Sequence, residues 1–144
     1  MGINNLADIF KEKYYETLQG GILEAFGILF KDNIRIYAYP IEKENFDRYR
    51  KQIGIGDNVE VETTEDGLVT IDNLLVAKNL RNLYKYIREN GVLESIQDCE
   101  RTNMGVFSRD AFDRIRERKD GWSEIVPTCV AELIKKKNLW RAPM

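Results

Sequence analysis

The stretch Thr70–Gly91, TIDNLLVAKNLRNLYKYIRENG, decides how the rest of the chain is read. Thr70 and Asp72 each carry a side-chain oxygen able to accept hydrogen bonds from the free N–H groups of a helix start. Leu74, Leu75, Ala77, Leu80, Leu83, Tyr84 and Ile87 then recur at steps of three and four, with Val76 broadening the stripe, which is the spacing of one buried helix face. Asn90-Gly91 supplies the stop, because glycine enters the left-handed region without strain. The spacing predicts one long helix across the stretch, forming a wall of the core. Its other face carries Lys78, Arg81, Lys85 and Arg88. That basic face reads as solvated, with an anion contact as the alternative.

Working outward toward the N-terminus, residues 34–40 (IRIYAYP) alternate Ile34, Ile36 and Ala38 against Arg35, Tyr37 and Tyr39, the period of a half-buried strand. Residues 58–63 and 68–71 flank Glu65-Asp66-Gly67, and an Asp-Gly turn between β-type segments predicts a hairpin. Helices are expected over 4–17, over 22–30 (apolar on most sides and so expected to be buried) and over 42–52. Toward the C-terminus, 92–96 reads as a short helical turn. Ser108 is expected to cap a helix over 110–118. Pro127 opens a last helix over 128–137 that buries Val130, Leu133 and Ile134. The sum is an α+β domain spanning 1–144: a small sheet of about three strands with five or six helices, the alternative being an α/β three-layer arrangement.

The 144 residues contain no apolar run near the ~18 needed to cross a bilayer, and the first ten have no basic stretch before a greasy core. A cytoplasmic protein with no membrane partner is expected. Cys99 and Cys129 form no metal-type or CxxC pair and are expected to be free thiols. There is no histidine, which removes Ser-His and Cys-His nucleophile systems and the usual general base. Net charge of −2 gives no global attraction for nucleic acid. Residues 1–77 nevertheless hold 8 Lys/Arg against 14 Asp/Glu, while residues 78–144 hold 14 against 10. Such asymmetry fits an anionic ligand near the basic half, or head-to-tail association.

Several motifs offer chemistry. Gly54-Ile55-Gly56-Asp57 has paired glycines that can converge N–H groups on an anion, but neither phosphate-loop signature, and a strand follows it, so it reads as a structural turn. Asp57, Glu60 and Glu62 formally suit a divalent cation without calcium-loop spacing, and define a carboxylate/metal enzyme as a second alternative. Arg114, Arg116, Arg118 and Lys119, with Lys135–Lys137, form the densest basic patch.

The tail 106–140 (VFSRDAFDRIRERKDGWSEIVPTCVAELIKKKNLW) resembles the C-terminal segment of nicotinate-mononucleotide adenylyltransferase-type nucleotidyltransferases. In that family an Ile-Ser-[Ser/Thr]-Thr-x-x-Arg helix start holds ATP phosphates, and a hydrophobic-Val-Pro segment opens the last helix. Ser108, Arg114-Ile115, Ile125-Val126-Pro127, Val130, Ile134 and Leu139-Trp140 fit this framework. Phe107 and Arg109 replace the neighbours of the serine, Phe112 stands at the arginine position, and the catalytic His-x-Gly-His has no counterpart in a chain without histidine. The resemblance implies a phosphate contact at Ser108 with Arg109 and Arg114; it does not imply catalysis.

These readings give no catalytic residues, no metal ligands and no cofactor. The expected function is a non-catalytic binding or regulatory module acting through a protein partner or self-association. Tyr37, Tyr39, Tyr49, Trp122 and Trp140 are the expected interface anchors. The alternative is a nucleotide-binding relative, or separated half, of an adenylyltransferase.

Overall fold

In the computed structural model, residues 1–140 are described. They run α1 (Ile3–Ile9), a 3-10 turn (Glu12–Tyr15), α2 (Gly21–Leu29), β1 (Ile36–Ala38), β2 (Ile41–Glu42), α3 (Lys43–Ile53), β3 (Glu60–Val61), β4 (Leu68–Val69) and β5 (Leu74–Leu75). A 3-10 turn (Lys78–Leu80) then leads into α4 (Arg81–Glu89), β6 (Leu93–Ser95), α5 (Ser108–Arg116), a 3-10 turn (Trp122–Glu124) and α6 (Thr128–Lys137). The class is α+β, with strands that pair only two at a time: β1 parallel to β6, and β2 with β4 and β3 with β5 antiparallel. The chain divides into two compact units, 1–102 and 103–144. Among the described residues, no helix is long and apolar enough to cross a membrane.

The expected hairpin does not form. The turn does: Gly67 N–H donates to the Thr64 carbonyl at 3.1 Å, and Asp66 Oδ1 accepts from Thr64 Oγ1 at 2.6 Å and from Leu68 N–H at 3.1 Å. The strands on either side then part, Glu60 pairing with Leu75 and Leu68 with Glu42. The cause is Asn73, only 5% exposed. Its side-chain amide donates to Glu62 O at 3.0 Å and Leu68 O at 2.8 Å, and its side-chain oxygen accepts from Thr70 N–H at 2.7 Å. The carboxamide occupies the place where the two strands would have bonded each other.

The expected long helix is also shortened. Thr70 and Asp72 do not cap a helix; Thr70 Oγ1 accepts from Asp72 N–H at 3.2 Å in a local turn, Leu74-Leu75 extend as β5, and the α-helix begins at Arg81. Apolar spacing was legible because Leu74, Val76, Leu80, Tyr84 and Ile87 are all buried, but the first two are buried from outside the helix. Residues 92–96 are likewise corrected from helical turn to strand β6, since Ile36 N–H donates to Val92 O and Ile96 N–H to Ala38 O, both at 2.8 Å.

The aromatic core of this unit stacks edge-to-face. Phe10 meets Phe26 and Tyr84 at centroid distances of 5.2 Å, and the Tyr84 hydroxyl donates to Ile71 O at 2.7 Å. Burial holds the Tyr84 phenol well above its ordinary pKa. The first predicted helix ends at Ile9, and the buried Lys11 follows with extended backbone. Helix α2 matches its predicted span but not its burial: Ile22 and Phe26 are buried, whereas Leu23 is 67% and Ile28 57% exposed.

Gly56 is required twice over. Its φ is +75°, and a Cβ there would lie 2.7 Å from the ring of Phe46, which is fully buried. Gly67 shares the positive φ (+67°), with open space around it. Gly56→Ala should therefore cost about 2–4 kcal/mol, left-handed strain plus overpacking. Gly67→Ala should cost only the strain, about 1–2 kcal/mol. Urea unfolding of both variants checks this; equal losses would mean that the Phe46 ring yields freely.

Candidate functional site

In the N-terminal unit the Gly54–Asp57 turn is fully committed to structure. The Lys11 ammonium, whose side chain is 6% exposed, reaches Asp8 at 2.7 Å, Asp57 at 2.8 Å and the Gly54 carbonyl at 2.7 Å. Gly56 N–H donates to Asp8 Oδ1 at 3.1 Å, and Arg50 Nε donates to Gly56 O at 3.0 Å. The N–H group that an anion would need already has a carboxylate acceptor. Asp57 is in turn held by Lys11, and among the described residues no group of three or more potential metal ligands comes together, so Asp57, Glu60 and Glu62 do not share a cage.

Burial by itself would lower the Lys11 pKa, but hydrogen bonds to Asp57 and Asp8 outweigh it and raise the value above 10.5. The hydrogen bond from Lys11 is the largest cause holding the Asp57 carboxyl below 3.8. A depressed carboxylate stabilises the fold above its unfolded pKa, and that contribution is lost as pH falls through the folded value. A raised ammonium contributes below 10.5 and is lost as pH climbs through its folded value.

The basic face of α4 is partly consumed. Arg88 pairs with Asp72 and lies over the Tyr84 ring at 5.7 Å, and Lys85 meets Glu89 at 3.7 Å. Lys78 and Arg81 line a hollow of about 330 Å³, together with Asp57 and Glu60, whose charge opposes an anion there.

The anchors expected at an interface separate. Tyr37 and Tyr39 are exposed on the N-terminal unit. Tyr49 is corrected: at 4% exposure it is a core residue on the buried face of α3, and is closed to a partner. Trp122 and Trp140 belong to the C-terminal unit, with Lys135 Nζ 5.6 Å from the Trp122 ring centre.

That C-terminal unit holds a groove of about 730 Å³ along α5 and α6. Buried Ala111, Ile115 and Ile134 line it together with exposed Phe112, Val130 and Trp140. Phe112 and Trp140 stand edge-to-face at 6.0 Å. The chain reaches Trp140 through two left-handed residues, Asn138 (φ +51°) and Trp140 itself (φ +54°). Asn138 ends α6, and Leu139 N–H closes back on Ile134 O at 3.1 Å. For a bulky side chain the left-handed conformation is an outlier that costs about 1–2 kcal/mol.

The expected phosphate contacts are divided. Ser108 and Arg109 line the groove; Arg114 does not, its guanidinium lying 3.4 Å from where a Gly121 Cβ would stand. Ser108 is corrected from cap to first helical residue, because Phe107 takes the extended N-cap position and no side chain caps the helix. Arg116 is a rim residue the sequence reading placed only in a general basic patch; it reaches Asp113 at 3.5 Å and lies over the Phe112 ring at 6.0 Å. The expected burial of Val130 and Leu133 is corrected too: they are 40% and 47% exposed, and Ala131 and Ile134 face the core instead. No family model, curated protein or solved structure matches the chain.

The pH behaviour of the Lys11 network is directly testable. Wild-type stability, followed by urea unfolding from pH 7 to pH 2, should begin to fall below about pH 4. Asp57→Asn should show a shallower loss over that range, and an unchanged profile would remove Asp57 from the network.

Proposed function

We propose that the chain is a non-catalytic binding module of the cytoplasm that holds a protein segment in the α5–α6 groove of its C-terminal unit. The observation that carries this reading is that exposed Phe112, Val130 and Trp140 line one concavity of a small unit. Large contiguous apolar surface on a folded unit marks interaction sites more often than solvation. Trp and flanking Arg are also the side chains that most often dominate binding energy. The missing histidine, and the commitment of the Gly54–Asp57 turn to Lys11 and Asp8, support a binding role over a catalytic one. Cys99 and Cys129 are free thiols, in keeping with a reducing compartment.

One observation favours the nucleotide alternative as a second reading. Ser108 and Arg109, at the start of α5, line the same groove as the Phe112 and Trp140 rings, so phosphate-type donors and stacking surfaces share one concavity. Under that reading, millimolar ATP or NAD raises the melting temperature through preferential binding to the native state. No shift at that concentration sinks it.

The leading reading is checked by selecting an unbiased random-peptide display library against the immobilised full chain. Enriched peptides are expected to lose at least about tenfold in affinity against Trp140→Ala or Phe112→Ala, a loss of roughly 1.4 kcal/mol or more. No enrichment, or binding indifferent to both substitutions, overturns the reading.

A further inference from the structure

The charge around the groove selects the chemistry of its occupant. On α5, Ser108, Ala111, Phe112 and Ile115 follow at helical steps and supply floor and wall, while Arg109, Asp113 and Arg116 follow as a second row beside them. The single acid of that row, Asp113, is paired with Arg116 at 3.5 Å. Arg109 has no hydrogen-bond or ion-pair partner among the described residues. On α6, Val130 and Ile134 lie on the groove side, and Lys137, seven residues from Val130, continues their row at the helix end. Lys136 and Lys137 also lack partners among the described residues. The sequence of the whole unit, 103–144, holds 9 Lys/Arg against 6 Asp/Glu, while 1–102 holds 13 against 18. The groove is thus an apolar channel whose lining carries two arginines against one aspartate, in the basic part of an otherwise acidic chain.

We propose that the occupant is a short acidic amphipathic segment of another protein. Its apolar side chains lie between Phe112, Val130 and Trp140, and its carboxylates meet Arg109 and Arg116. This rests on the reading of the groove as a peptide site and specifies the partner class. The rim guanidiniums favour carboxylates because a planar fork matches two carboxylate oxygens, and attraction along a rim sets partner choice and on-rate more than raw affinity. The rings and the cations are held apart in rows, which fits a ligand whose own apolar and acidic residues are segregated on two faces, as on an amphipathic helix.

The test uses the full chain carrying Trp122→Phe, so that emission reports Trp140 alone. Three ligands are titrated: a peptide with Leu and Phe on one helical face and Glu elsewhere, the same peptide with Lys replacing every Glu, and ATP. The Glu peptide should shift Trp140 emission saturably, and its affinity should fall with added salt as exposed charges are screened. It should bind Arg109→Glu/Arg116→Glu at least about tenfold more weakly, while the Lys peptide gains affinity for that variant. This exchange keeps the test informative even if the double variant is less stable. Equal binding of both peptides to the unsubstituted groove overturns the acidic partner and leaves the groove as a peptide site. Binding of neither peptide overturns the peptide reading as well, and saturable binding of ATP in their place would transfer the groove to the nucleotide reading. A Trp140 shift that depends on protein concentration without any peptide makes a second copy of the chain the occupant, and overturns the foreign partner.

Discussion

The Asn73 carboxamide binds three backbone groups that belong to three different segments: the Glu62 carbonyl at the end of β3, the Leu68 carbonyl of β4 and the Thr70 amide. Neighbouring backbone completes the junction, with Glu62 N–H on the Asn73 carbonyl at 2.9 Å. A buried amide of this kind has few acceptable environments, because each unmet group costs about 1–3 kcal/mol. Once Asn73 is satisfied, β4 is free to pair with β2 and β3 with β5, and the chain enters α4 at Arg81 instead of just after Thr70 or Asp72. The topology of the N-terminal unit follows from one polar side chain finding its partners, with apolar burial at Val69, Leu74 and Leu93 confirming the arrangement.

Lys11 plays the complementary part at the other end of that unit. A buried ammonium is costly unless its charge is matched, and here two carboxylates and a carbonyl do so, from α1 on one side and the Gly54–Asp57 turn on the other. Asn58 adds a bond from its side-chain amide to Ala7 O at 2.9 Å. The end of α1 is thereby tied to a turn more than forty residues away, and Gly56 lets that turn press on Phe46. What looks like a ligand loop in the sequence is a polar clasp whose ligand is the protein itself.

The same details explain what the sequence made legible. Helices α3 and α6 were readable to within about a residue, because Gly54 and Asn138 supply left-handed stops and Pro127 a start, all local signals. The strand at 36–38 was readable from alternation that leaves Ile36 and Ala38 inside and Tyr37 outside. Strand partners were not, since pairing depended on Asn73, whose three contacts are spread over twelve residues. Burial was the other failure. Leu23, Ile28, Val130 and Leu133 have the right spacing for a core but no neighbours to cover them, and spacing alone cannot distinguish a covered face from an uncovered one. Ser108, Arg109 and Trp140, each singled out by the sequence, line one groove, whereas the position of Arg116 beside Phe112 needed the facing of α5.

The uncovered surface on α5 and α6 is arranged in a way that small size by itself does not require. A unit of about forty residues has little core to offer, and some exposed apolar area is inevitable. Yet Ala111, the smallest apolar side chain of the lining, occupies the floor, while Phe112 and Trp140 stand at the edge. Exchanging Ala111 and Phe112 in thought would fill the concavity and bury the ring, removing an exposed aromatic at no change in composition. The chain also holds Trp140 in a left-handed conformation that brings its indole to Phe112 and leaves it 54% exposed. Backbone strain that keeps a large apolar ring in solvent lowers the stability of the isolated unit, and such strain concentrates where a structure is pre-formed for something else to bind. An occupant that covers both rings would recover the lost burial without any rearrangement of α5 or α6, so the open groove and the left-handed tryptophan are both features that the proposed peptide would use.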